Sequence, residues 1–338
     1  MWLGFSPWHT AMDRWKEESG IADLDIVKYF GFEPFFQVVP IEYGPFPHFE
    51  SKTIEENDEY VTITDYRGLT ARWNIASGSI PEFVGHPIHT RQDWERYKIE
   101  RLDEPYFNER LAKLDEFVKR MTSVDAPVQV GDYPWGVFGT IRDLLGVEEL
   151  LMGFYDDPEM IRDIMETFTS LWLALYEKVA EIIDIDHIHI WEDMCGKQGS
   201  LISMKMIEEF MMPQYDRIAD FCRRRKVPIF STDSDGNVDQ LVPTLIRHGI
   251  NAFLPFEVQA GCDIEEYRRN YPALGILGGL DKNALAADKA AIHKQLDRAQ
   301  RMLATGGYIP GFDHLIPPNV SWKNYEYAVN ELKRMIGL

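Results

Sequence analysis

Residues 227–264 read VPIFSTDSDGNVDQLVPTLIRHGINAFLPFEVQAGCDI. Pro228 to Thr232 is a short apolar run, and Asp233, Ser234, Asp235 and Gly236 end it. Val238 to His248 then spaces its apolar residues as a helix does, and Gly249 suits the left-handed position that closes one. Ala252 to Phe256 is a second short apolar run. Asp263 and Glu266 stand at capping-box spacing and open a helix reaching Asn270. Strand, helix and strand in this order form a right-handed βαβ unit with parallel strands.

The same alternation continues on both sides. Upstream, Val128 to Val130 and Ile185 to Trp191 read as strands. Between them, Asp157 is a helix N-cap candidate, Pro158 suits the first turn and Glu159 suits its positive end. Ile161, Ile164, Met165, Phe168, Leu171, Trp172, Leu175 and Val179 give that helix one apolar stripe. Ser203 to Arg225 is a further helix, with a kink expected at Pro213. Downstream come strands at Leu274 to Leu277 and Tyr308 to Pro310, and helices at Lys289 to Thr305 and Ser321 to Ile336. Six strands are legible. A closed (β/α)8 barrel needs two more, so an open doubly wound sheet stays in play. No G-x-G-x-x-G follows any strand, which weakens a dinucleotide-binding version of that alternative.

The N-terminal part has a different texture. Tyr60, Thr62 and Thr64, a turn at Asp65 to Gly68, then Leu69, Ala71 and Trp73 form a hairpin pattern. Pro34 to Pro47 is rich in Pro, Phe and Tyr and reads as an ordered aromatic cover. Residues 1–75 are therefore taken as a cover segment of the same domain, and 76–338 as its strand–helix body.

The 338 residues are 45% hydrophobic and 27% charged, ordinary globular usage. Lys and Arg total 35 against 55 Asp and Glu, a net charge of −20. Such a surface repels nucleic acid and anionic lipid. No signal-peptide pattern and no long apolar run is present. Cys195, Cys222 and Cys262 are odd in number and far apart, which argues against a disulfide framework and for a reducing cytoplasm.

Parallel α/β barrels place their chemistry beyond the C-terminal ends of the strands. Here those ends carry Glu192 and Asp193, then Asp233 and Asp235, Glu257, Asp281 with Lys282, and Asp313 with His314. Each could serve only as a helix cap or a loop tie. His187 and His189 share a strand face and read as structural. Carboxylates converging on one mouth would repel by about 4 kcal/mol per pair at about 4 Å and a dielectric of about 20. A divalent cation, bound protons, or cations such as Lys282 and Arg142 must offset this. Carboxylates with one imidazole suit Zn²⁺ or a similar divalent ion.

At these residues a family likeness emerges. Asp233 to Asn237 (DSDGN), Phe256 to Asp263 (FEVQAGCD), Leu277 to Lys282 (LGGLDK), Gly306 to Pro318 (GGYIPGFDHLIPP) and Trp191 to Lys197 (WEDMCGK) resemble the uroporphyrinogen decarboxylase superfamily. The likeness runs from about residue 80 to the C-terminus. It implies a single (β/α)8 TIM barrel. The porphyrinogen decarboxylases of that superfamily carry an N-terminal R-Q-A-G-R-type arginine motif for substrate carboxylates. This chain has none, and Arg91 with Gln92 sits in another context. The second branch comprises zinc-dependent, corrinoid-linked methyltransferases. Its thiol-acting members use a His-x-Cys pair where Asp233 and Asp235 stand here, and a later Cys near Asp313 and His314.

The resemblance therefore implies a methyltransferase of a corrinoid-dependent system that demethylates a small O-methyl substrate with metal assistance. The alternative is a carboxy-lyase acting on a small or tetrapyrrole acid, with Asp235 or His314 as proton donor. Asp235, Glu257 and His314 are the expected catalytic residues. Asp233, Asp235, Glu257 and His314 are the expected ligands of the metal, taken as Zn²⁺. Glu192, Asp193, Asp281, Trp135 and Arg142 are expected to touch substrate, with Phe35, Phe36 and Tyr43 as further ring contacts. The chain has no D-x-H-x-x-G corrinoid-ligand pattern, so the corrinoid is expected on a separate protein. The aromatic N-terminal segment closes this site or, in a homodimer, that of a second subunit.

Overall fold

The computed structural model describes residues 6–32, 36–75, 80–102 and 106–338. Its centre is a parallel sheet of seven strands in chain order: β1 (Gln37–Val38), β2 (Val128–Val130), β3 (His187–Trp191), β4 (Ile229–Asp233), β5 (Ala252–Leu254), β6 (Gly275–Leu277) and β7 (Tyr308–Ile309). All six strands expected from sequence are present. The sheet curls as a TIM-barrel-like half-barrel with helices outside. Among the described residues β7 is not paired with β1, and no eighth strand stands between them.

The seventh strand is β1. It lies inside the segment taken as a cover, so the division at residue 75 does not separate cover from barrel. Only two of its residues pair, Gln37 with Val128 and Val38 with Gln129, too few to show a period of two. The body also begins later than residue 76, because the cover is a four-stranded antiparallel sheet of Lys52–Glu56, Tyr60–Thr64, Thr70–Asn74 and Glu82–Gly85. The expected turn joins its second and third strands. The Asp65 side chain accepts from the backbone N–H of Arg67 (2.8 Å) and Leu69 (3.1 Å), and Gly68 takes φ +87° there.

Strand alternation sorts the side chains. Ile188, Ile190, Phe253, Ile276 and Tyr308 face the helices and join the main core. Ala252, Leu254 and Leu277, with Ile229 and Ile309, form a small apolar cluster on the inner face. His187, His189, Gln129 and Ser231 occupy the same inner face as a closed network. His187 meets Gln129 Oε1 at 2.9 Å and Ser231 Oγ at 2.6 Å, and His189 Nδ1 meets Ser231 Oγ at 2.8 Å. Burial lowers both imidazoles, His189 to about 4. Hydrogen bonds satisfy both rings, as the structural reading expects, and both also line the cavity above the strands.

The helix Pro158–Ala180 begins as expected, with Asp157 accepting from Met160 N at 3.1 Å. Asp157→Ala is expected to cost about 1 kcal/mol in urea unfolding, the usual loss of an N-cap. The kink at Pro213 is a π turn at Ile207–Met211 just before the helix Met212–Arg225. Pro213 has no N–H for the Glu209 carbonyl. Arg162 supplies the missing donor at 3.1 Å. Among the described residues no helix is long and apolar enough to cross a membrane.

Candidate active site

The cover sheet lies over the C-terminal strand ends and encloses a cavity of about 720 Å³. Ile63, Ala71, Trp73 and Phe83 of the cover line one side. Asp132, Tyr133, Trp191, Asp193, Asp233, Asp235 and His314, from the ends of β2, β3, β4 and β7, line the other. Arg67 fixes the cover to the barrel. Its guanidinium donates to Asp143 at 2.6 Å and to Asp65 at 2.9 Å. Burial raises Asp143, and Arg67 opposes that rise.

Asp235 and His314 meet across this cavity. His314 Nε2 lies 2.9 Å from Asp235 Oδ2. Burial pulls His314 down, but the hydrogen bond and charge of Asp235 outweigh it and leave the imidazole above its ordinary value. Asp233 is 13% exposed at its side chain and accepts from Glu192 N at 3.3 Å. Burial first, then repulsion from Asp235 and Asp193, drives its carboxyl well above the usual range. Asp132 is also pushed up by burial.

Glu257 is fixed by two donors, Gly236 N–H at 3.1 Å and Lys282 Nζ at 3.3 Å. It follows Phe256, which is buried at φ +60°, an uncommon conformation for a bulky residue. Packing on Phe253 and Tyr267 holds that ring in place. The expected metal quartet is therefore not assembled. Asp235 pairs with His314, Glu257 pairs with Lys282, and Asp233 stands by His189 at 4.0 Å. Among the described residues no three His, Cys, Asp or Glu side chains converge to hold a metal ion. His314 and Lys282 engage two of these carboxylates and the four groups do not converge, so the quartet does not fit as a ligand set.

The expected substrate contacts divide. Asp193 and Arg142 line the cavity and bond each other at 2.7 Å, with Arg142 also over the Trp191 ring at 4.8 Å. Three others are structural, which corrects the expectation. Glu192 is fully buried and accepts from three backbone N–H groups and Tyr215. Asp281 caps a short turn through Asn283 N at 2.9 Å. Trp135 is buried with its ring against Gly44, where a Cβ would come within 1.9 Å. Tyr43 is likewise buried, and its hydroxyl accepts from Gly131 N. Phe36 lines the cavity, while Phe35 lies outside the described residues. Asp313 is a loop tie, accepting from Val258 N (2.8 Å) and Lys282 N (3.0 Å).

Sequence reasoning passed over Asp132, Tyr133, Arg67 and Trp73. Asp132 follows β2 and was accessible to the same strand-end rule. Tyr133 and Arg67 come from loops, where no period marks an inward direction, and Trp73 alternates with Ala71 on one strand face, a pattern that does not say which face meets the barrel.

Fold and site define a TIM-barrel-like α/β protein with an acidic, aromatic cavity at the carboxyl ends of its strands. The model of uroporphyrinogen decarboxylase (URO-D) matches residues 66–335, and the chain belongs to that family. Among solved structures, a methyltransferase from Methanosarcina mazei is similar at 14% identity with a TM-score of 0.60, covering 98% of this chain and 89% of that one. That likeness concerns the fold. A Listeria monocytogenes protein described as a vitamin-B12 independent methionine synthase matches at 11% identity and a TM-score of 0.37, covering 70% and 71% of the two chains. No curated protein matches the sequence.

Proposed function

We propose that the protein removes the methyl group of a small methoxylated compound and passes it to a reduced corrinoid carried by a separate protein. The observation that carries this reading is the Asp235–His314 pair facing a cavity whose wall also presents the rings of Trp8, Phe36, Trp73, Phe83, Tyr133 and Trp191. Breaking a CH₃–O bond leaves the electron pair on oxygen, and the corrinoid supplies the pair for the new bond to carbon. The departing oxygen then needs a proton. In this reading protonated His314, held by Asp235, donates it and takes one back from water afterwards. Trp8, Phe36, Trp73 and Phe83 give the ring of a methoxyarene apolar surfaces and keep water from the reacting oxygen.

The carboxy-lyase alternative gains less support. A polyacid needs cations, but Arg67 and Arg142 are bonded to the cavity's own carboxylates. Incubation with Co(I) corrinoid and a panel of methoxyarenes is expected to develop methyl-Co(III) absorbance. No absorbance change across the panel, together with CO₂ release from an aromatic or tetrapyrrole acid, would replace this reading with the alternative.

A further inference from the structure

Six carboxyl groups line the cavity, from Asp65, Asp132, Asp143, Asp193, Asp233 and Asp235. The cations that line it are fewer and are engaged. Arg67 bonds Asp65 and Asp143, Arg142 bonds Asp193, and His314 bonds Asp235. That leaves Asp132 and Asp233 without a charged partner among the described residues near neutral pH. The imidazole 4.0 Å from Asp233 is His189, which burial pushes down to about 4 and so keeps neutral. An anionic substrate would have to break an existing ion pair to find a cation. A cationic one would meet carboxyls that have none.

The surroundings of Asp132 suit an ammonium group. Tyr133, next in the chain, sets its ring edge-on to Trp191 with centroids 4.8 Å apart. Trp191 already carries a cation on its face, the Arg142 guanidinium. Asp132 follows β2 and Asp235 follows β4, with β3 between them. Two strand spacings put these positions about 10 Å apart. One small molecule can therefore present a methoxy group to the Asp235–His314 pair and a second polar group to Asp132.

We infer that the site selects methoxylated substrates that also carry a protonated amine, and that Asp132 receives that amine. This rests on the methyl-transfer reading for the role of the methoxy group alone. Burial costs the ionised Asp132 carboxylate, and an arriving ammonium offsets that cost.

Calorimetric titration of the full chain, with no methyl acceptor, tests this with three probes of one shape: 4-methoxybenzylamine, 4-methoxybenzyl alcohol and 4-methoxybenzoate. The amine is expected to bind at least about tenfold tighter than the alcohol, as one charge-assisted hydrogen bond allows, and the benzoate to be weakest. Asp132→Asn, a near-isosteric change, should reduce the amine's advantage to less than about threefold. Benzoate binding as tightly as the amine, an undiminished amine preference in the variant, or no binding of any probe would each overturn the inference. Amine-selective binding without methyl transfer would sink the reaction and leave this specificity standing. Methyl transfer from the benzoate in preference to the amine would do the reverse.

Discussion

Asp235→Asn is expected to cut methyl transfer near neutral pH by about 100-fold, the scale of losing a general acid, and to restore part of the rate on acidification. Burial alone disfavours the charged His314 imidazole; the Asp235 hydrogen bond and charge reverse that effect, with Glu257 assisting and Lys282 opposing. In the native protein the acid form therefore persists above the ordinary value of 6.5, and the rate should fall only as pH rises past that raised value. Asparagine keeps the shape and removes the charge. Burial and Lys282 then dominate, the imidazole titrates lower, and the alkaline limb of the rate profile moves to lower pH. His314→Ala should lose activity by a similar factor with no recovery at low pH. Stability follows the same sign. A His whose folded value is raised stabilises fully below about 6.5, and that contribution is lost as pH climbs through the folded value. Thermal unfolding across this window should slope downward in the native protein and less so in Asp235→Asn. A rate profile identical in both proteins would remove the pair from the mechanism.

What the sequence disclosed, and what it hid, follows from the range of the signals. The helix Pro158–Ala180 was legible because its cap, first-turn proline and apolar stripe are local and agree. β1 was not, because two paired residues carry no period and its partner lies 91 positions away, Gln37 against Val128. The hairpin turn at Asp65 to Gly68 was readable, yet nothing local marks Arg67 as the buried tie to Asp143. Trp135 looked like a ring contact, but its direction is set by Gly44, distant in the chain.

Strand-end carboxylates show the same limit more sharply. The rule that they gather at the barrel mouth was sound, but it could not separate their roles. Each loop beyond a strand exposes backbone N–H groups that need acceptors, and a carboxylate satisfies them as well as it serves chemistry. Asp313 joins two loops, Asp281 caps a turn, and Glu257 answers Gly236 and Lys282. Asp235 differs in having an imidazole as its partner, and that imidazole comes from the far end of the chain. The compensation for clustered negative charge comes from Lys282, Arg67, Arg142 and His314, and burial with neighbouring carboxylates favours a proton on Asp233.

Glu192 marks the structural extreme of this set, and Glu192→Ala is expected to lower unfolding stability by at least about 3 kcal/mol. Its carboxylate is fully buried and accepts from Val137 N (3.0 Å), Phe138 N (2.6 Å), Gly139 N (3.1 Å) and the Tyr215 hydroxyl (2.6 Å). Burial pushes this carboxyl up, and the four donors pull against it. Three of them belong to the chain entering the helix Gly139–Leu145, whose N-terminal N–H groups have no partner within the helix. Alanine would orphan all four at roughly 1–3 kcal/mol each, with water entering the vacated space to recover part of the loss. The segment has little freedom to move toward other acceptors. A Cβ at Gly136 would sit 1.5 Å from the Trp191 carbonyl, so the backbone is already pressed against β3. The same helix carries Asp143, the anchor of the cover sheet, and Arg142, the partner of Asp193. Loosening its first turn should therefore release the cover and disturb the cavity wall together. Urea unfolding followed by fluorescence, alongside proteolysis of the cover segment, reads both effects. A Glu192→Ala protein as stable as the native one, with its cover still resistant to protease, would show that these four hydrogen bonds do not hold the barrel mouth in shape.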